Sequence, residues 1–230
     1  MKFLKQKSTL HFDNLSTLDS TNKTFRHGTL LPNTIRCVIC GPSNCGKTNL
    51  MIGLLLHENG LRYQNVYVYS KTLHQPKYIF LDKVLRLVPS ISFTKFHANQ
   101  QVLSTEEAKP NSIIIFDDVA CENQNNMRDY FAMGRHKNID SFYLNQTYSK
   151  IPKQLIRDNA NLIVLFKQDN INLRHVYDEH VNTDMSWHKF IEMCTKIWSE
   201  PYSYLVINKD CEKNKGYYRK QFDTFVVFTS

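Results

Sequence analysis

No stretch of this sequence stays apolar for the ~20 residues that a bilayer-crossing helix needs. The opening segment, Met1 to Lys7, is too short and too charged for a secretory signal. The expectation is a soluble protein, held to any larger assembly by contacts rather than by a membrane anchor. Cysteine is present but builds no scaffold. Of six cysteines, Cys37 and Cys40 fall in an apolar run, where a spacing of three puts their side chains on opposite faces of a strand. Cys45 sits in a glycine loop, and no second pair completes a zinc site. Reduced thiols in an intracellular setting fit this usage. Nine histidines also miss metal-site spacing, since His175 and His180 are five apart, neither i+3 nor i+4. There is no internal repeat and no low-complexity tract.

What the chain does contain is enough apolar and aromatic material (42% and 12%) to argue against disorder. Its 230 residues match one domain, or one domain with decoration, large enough to form a core without staples. The net charge of +8 permits a polyanionic partner without demanding one.

Along the chain, residues 1 to 30 are polar and weakly periodic, an N-terminal arm or an edge hairpin. From residue 34, strand and helix patterns alternate. Strands are expected over residues 34–40, 65–70, 90–96, 112–117, 140–145, 162–166, 204–207 and 225–228. Helices are expected over 48–56, 76–87, 127–133, 171–180 and 185–198, with a short turn at 155–159. Such alternation predicts an α/β fold with a mostly parallel sheet covered on both faces. The division expected is a single domain over 1–230, with an arm (1–30), a core (34–180) and a C-terminal helix-and-strand extension (181–230). The basic stretch Lys209 to Lys220 reads as an exposed hairpin loop.

The chemistry begins at Gly41-Pro42-Ser43-Asn44-Cys45-Gly46-Lys47-Thr48, followed by Asn49. Glycines let such a loop curl so that backbone N–H groups point at a β-phosphate, and the next helix aims its positive end there. Lys47 would bridge the β- and γ-phosphates, and the Thr48 hydroxyl would ligate Mg²⁺. The loop follows a buried strand and opens an apolar helix, which is the context the motif requires. A second element is Ile113-Ile-Ile-Phe-Asp117-Asp118. An acid at the carboxyl end of a buried strand emerges where ligands bind in such sheets. Asp117 suits Mg²⁺ and Asp118 suits polarising a water, although two solvated turn residues would look the same. A third element is Gln146, whose amide can hold a water and touch the γ-phosphate together, or be an ordinary loop glutamine.

The order of these elements resembles a family. After the loop and the Asp-Asp strand come Gly134-Arg135-His-Lys-Asn-Ile139, a strand ending in Gln146, and Ile151-Pro-Lys-Gln-Leu-Ile-Arg157-Asp-Asn-Ala-Asn161. This is similar to the FtsK–HerA superfamily of DNA-pumping ATPases. It most resembles the genome-packaging branch of poxviruses, other large DNA viruses, virophages and Polinton-type elements. The resemblance spans about residues 34 to 180. It implies a RecA-like P-loop ATPase of the extra-strand (ASCE) type, with the Gln146 strand between the loop strand and the acidic strand. It implies ATP and Mg²⁺ as cofactors. It further implies a homo-oligomeric ring, pentamer or hexamer, that moves double-stranded DNA into a capsid with a capsid or vertex protein as partner. The place of action would be the virion and the infected cell. In that family Arg135 occupies the position of a finger acting on the neighbouring subunit, with Arg157 as second candidate. The sequence departs from cellular relatives in having Asp118, one methylene shorter, where they place Glu, so a water it positions would sit differently.

Lys213 to Lys220 mixes cations with Tyr217 and Tyr218, as nucleic-acid contacts do, but a solvated hairpin tip explains it equally. Lys150 and Lys153 are further candidates to face DNA. Two other readings stay open. A small-molecule kinase shares the phosphate loop, although Asp117, Asp118 and Gln146 suit a water nucleophile better. A non-catalytic ATP-binding assembly factor is the other.

Overall fold

The computed structural model of the chain describes residues 26–97, 100–119 and 124–228. Up to residue 25, the expected N-terminal arm lies outside the described residues, as does Cys121. The first half runs β1 (Arg36–Cys40), α1 (Lys47–Leu56), β2 (Asn65–Ser70), α2 (Pro76–Leu85), β3 (Ser92–His97) and β4 (Ser112–Asp117). Then come α3 (Gln124–Met133), β5 (Ile139–Asn145), β6 (Leu162–Leu165), α4 (Asn170–His180) and α5 (Trp187–Ile197). The chain closes with β7 (Leu205–Asn208), β8 (Tyr218–Lys220) and β9 (Thr224–Phe225). Among the described residues no helix is long and apolar enough to cross a membrane.

All these strands share one sheet, in the order β3-β2-β4-β5-β1-β6-β7-β8-β9. From β3 to β6 neighbouring strands are parallel. From β6 to β9 they are antiparallel. The parallel strands read as unbroken apolar runs because both faces are covered, and every residue of β2 and β4 is buried. Their period of two sorts side chains into two layers. Cys37 and Ile39 pack with Met51 and Leu55 of α1 and with Leu81 and Leu85 of α2. Val38 and Cys40 pack in the layer that holds Tyr130 and Phe131 of α3, Val176 of α4 and Phe190 of α5. Cys37 and Cys40 therefore do face opposite ways.

The sheet order settles where the site forms. β5 lies between β1 and β4, as the extra-strand fold requires. Register pairs Cys40 with Asn145 and Asp117 with Leu144. The three strand ends that carry the glycine loop, the acid pair and Gln146 thus finish at one edge.

The C-terminal region differs from expectation. The stretch expected as an exposed loop contains β8, and the strand expected at 225–228 is the two-residue β9 at Thr224–Phe225, which meets the expected span only at Phe225. The cause is side-chain bonding to distant main chain. Arg219 is buried and donates to the carbonyls of Gly216 (2.7 Å), Leu30 (2.6 Å) and Phe222 (3.2 Å). Tyr218 is buried and donates to Asp184 (2.7 Å). Lys213 donates to the Asp184 carbonyl, and Lys220 pairs with Glu200. Arg219 and Tyr218 are core residues rather than surface contacts, while Lys215 stays exposed and pairs with Glu212 (2.8 Å).

Candidate nucleotide-binding site

β1 ends at Cys40, and the chain turns through the glycine loop into α1. Glycine is required twice. A Cβ on Gly41 would stand 2.6 Å from both Phe166 Cβ and Cys45 Sγ. Gly46 has φ 112°, in the left-handed region open to glycine. Asn44, at φ 62°, takes the same region, which asparagine tolerates. No side chain caps the start of α1. Its leading N–H groups are therefore suited to an anion, and the helix dipole favours one. Lys47 Nζ donates to the carbonyls of Gly41 (2.6 Å) and Pro42 (2.9 Å), which holds the ammonium inside the loop.

A cleft of ≈ 200 Å³ opens in front of this loop. Ser43, Asn44, Gly46, Lys47 and Thr48 form one wall, and Asp117, Asp118, Asn145 and Gln146 form the other. Thr72, Gln75 and Lys77 close it from the β2–α2 side. Asp117 is buried, and burial raises its carboxyl above the usual carboxylate range. Hydrogen bonds from Tyr78 and Thr48 and the charge of Lys47 pull the other way, while Asp118 adds to the rise. Asp118 has φ 52° and its N–H extends the ladder to Leu144 O (3.1 Å). That kink turns its side chain off the strand line, where its Oδ2 lies 3.5 Å from Gln146 Nε2, at the outer limit of a hydrogen bond.

The expected loop residues do not all line this cleft. Gly41 and Pro42 serve Lys47 with carbonyls, and the Cys45 thiol lies close to Gly41. Burial pushes that thiol's pKa up, so it is no reactive thiolate. Asn49 borders a different hollow, beside Ile52, Pro76 and Phe80. Arg135 is exposed in a single turn, Gly134–Lys137, just before β5, at the opposite edge of the sheet. Arg157 corrects an expectation. It is buried, bonds Glu179 at 2.8 Å, and lies 5.1 Å over the Tyr148 ring. A side chain locked in that way cannot reach into a neighbour. Of the lysines, Lys150 is exposed, and Lys153 is bound to Asp158 (3.1 Å).

Sequence reasoning missed Tyr78. Its hydroxyl donates to Asp117, yet its spacing with Leu81 and Leu85 marks only an apolar stripe of α2. A roomier apolar hollow of ≈ 310 Å³ runs along α1 past Leu54 and Phe222, but neither Lys47 nor the two carboxylates reach it. Among the described residues no group of three or more His, Cys, Asp and Glu could hold a metal alone. Thr48 and Asp117 offer only oxygens, the donor type Mg²⁺ takes when phosphates and water complete its shell. The residues fit that ion together with a nucleotide.

A glycine loop opening a helix, an acid pair across from it and an extra strand between them define a P-loop nucleoside triphosphatase. The chain belongs to the Poxvirus A32 protein family, which matches residues 22–218. No curated protein sequence matches the chain. Among solved structures, B204, the DNA-packaging ATPase from Sulfolobus Turreted Icosahedral Virus, superposes with a TM-score of 0.55 at 13% identity, covering 76% of this chain and 93% of that one. The genome packaging NTPase B204 from Sulfolobus turreted icosahedral virus 2, in complex with ATP-gammaS, gives a TM-score of 0.52 at 13% identity, over 76% of this chain and 93% of that one. At such identities the likeness establishes the fold.

Proposed function

We propose that this chain is an ATP-hydrolysing motor that drives double-stranded viral DNA into a capsid. The observation that carries the reading is the convergence of Lys47, Thr48, Asp117, Asp118 and Gln146 on one cleft. Membership of the Poxvirus A32 protein family supports it, as do packaging ATPases among the structures of like fold. Backbone N–H groups and Lys47 hold the β- and γ-phosphates. Thr48 and Asp117 would hold Mg²⁺, which when bound supplies charge neutralisation at those phosphates. Gln146 orients a water, using its amide as donor and acceptor at once. Asp118 accepts the proton as that water's oxygen bonds to the γ-phosphorus and the bond to the ADP oxygen breaks.

Arg135 would stabilise the transition-state charge in a neighbouring subunit of a ring, a pentamer or hexamer. A capsid or vertex protein would anchor that ring, in the virion and inside the infected cell. The test is the ATPase rate with and without duplex DNA, for the native chain and for Arg135→Ala. DNA should stimulate the native rate, and the variant should lose most of it. A rate indifferent to both changes removes the motor reading.

A further inference from the structure

The sheet order dictates which way a nucleotide lies in the cleft. The acid pair and Gln146 follow β4 and β5, on one side of β1. The γ-phosphate end of the ligand points to them. Sugar and base must then leave toward the other side, where β6 and β7 lie.

The link from α5 to β7 crosses that side, and it is pinned at both ends. Trp198 Nε1 donates to Leu165 O, the last residue of β6 (3.1 Å). The Tyr204 ring packs on Phe166 with centroids 5.2 Å apart. Phe166 itself backs the phosphate loop at Gly41 and Gly46. Between these anchors stands Tyr202. Its Cδ1 lies 3.8 Å from where a Cβ on Gly46 would be. Its side chain is large and apolar, yet the residue is 73% exposed. Its φ is 61°, a left-handed value that a bulky residue holds only when its surroundings impose it. An aromatic ring is thus held out into solvent, beside the phosphate loop, on the side where a nucleobase must emerge.

We propose that Tyr202 is the platform on which the nucleobase stacks. The proposal rests on the nucleotide-site reading and adds the residue that grips the end opposite the γ-phosphate. Every base presents a π-face, so a flat aromatic ring is sufficient to hold one.

The test is calorimetric binding to the full chain with two probes, Mg-ATPγS and Mg-tripolyphosphate, the second having no base. Tyr202→Ala should weaken ATPγS binding about ten- to a hundredfold, the worth of one base–aromatic stack, and leave tripolyphosphate unchanged. Tyr202→Phe should bind both as the native chain does. Tyr202→Gly removes the ring while relaxing the backbone, and it should behave as Tyr202→Ala. Native-like ATPγS binding by Tyr202→Ala overturns the proposal. So does equal loss of both probes, which would mean that Tyr202 merely shapes the loop, and so does a Phe variant as weak as the Ala one. Lys47→Ala separates the two levels, since it should lose both probes. If it binds them normally, the nucleotide site itself is misplaced and the stacking proposal goes with it.

Discussion

In the proposed mechanism Asp118 and Gln146 divide one task between a carboxylate that takes a proton and an amide that positions its donor. Asp118→Asn keeps the shape and removes the base. Single-turnover hydrolysis should slow by about 10²–10⁴-fold while ATPγS affinity changes little, whereas Lys47→Ala should lose both. Hydrolysis at the native rate by the Asp118→Asn variant would move the base elsewhere. His180 allows a second measurement. Burial holds its pKa down to about 3, with repulsion from Lys209, Arg157 and Lys153 adding to the fall. The unfolded chain takes up that proton near 6.5, and the folded chain refuses it until about 3. Stability is therefore lost as pH drops through that window, by up to about 1.4 kcal/mol per pH unit. His180→Asn keeps a neutral polar group near the Tyr148 hydroxyl and should flatten the loss between urea titrations at pH 7 and pH 4.5. The loop and acid-pair residues that line the cleft were legible in the sequence because a phosphate-loop motif fixes both residue types and spacing. Tyr78 and Tyr202 were not, since one hides in an apolar stripe and the other's exposure depends on a backbone turn.

Among the elements, legibility followed how many faces are covered. β1, β2, β4, β5 and β6 are buried on both sides, so continuous apolar runs announced them. The extra strand's place between β1 and β4 came from family resemblance, because no local pattern encodes strand order. β8 and β9 are two or three residues long and are held by bonds from elsewhere, Arg219 to Leu30 above all. Such a partner, far off in sequence, leaves no periodic signal. The same bonds predict a cost. Arg219→Ala strips the carbonyls of Gly216, Leu30 and Phe222 of a donor and removes a cation 4.6 Å from the Phe225 ring. Unfolding in urea should show a loss of about 2–4 kcal/mol, with tripolyphosphate binding intact at a temperature where the variant is folded. A loss near zero would mean that the C-terminal strands are not bound to the core through this residue.

At the scale of the whole molecule, the parallel strands separate two chemistries. The cleft proposed to grip phosphates lies where those strands end, while Arg135 stands where they begin, beside Arg36 at the start of β1, whose own pKa is lowered by burial and then by Arg135. β5 alone spans about 20 Å between the two edges at the usual rise per residue. Arg135 therefore cannot serve its own subunit's nucleotide, and a role in hydrolysis demands that a second copy bring it there. In the ring proposed above, the arrangement required is that each subunit's Arg135 edge faces the nucleotide edge of a neighbour, so that the two chemistries meet at each interface. Arg135→Ala should bind ATPγS normally and lose about 10³–10⁵-fold in rate. Lys47→Ala should be inactive for the opposite reason, keeping its arginine but gripping no phosphate. Mixed in equal amounts before assembly, the two inactive chains should recover DNA-stimulated activity, at roughly a quarter of the interfaces, where an intact loop meets an intact arginine. A mixture as inactive as its parts, with mixed rings demonstrated by mass, would mean that Arg135 does not act across the subunit boundary.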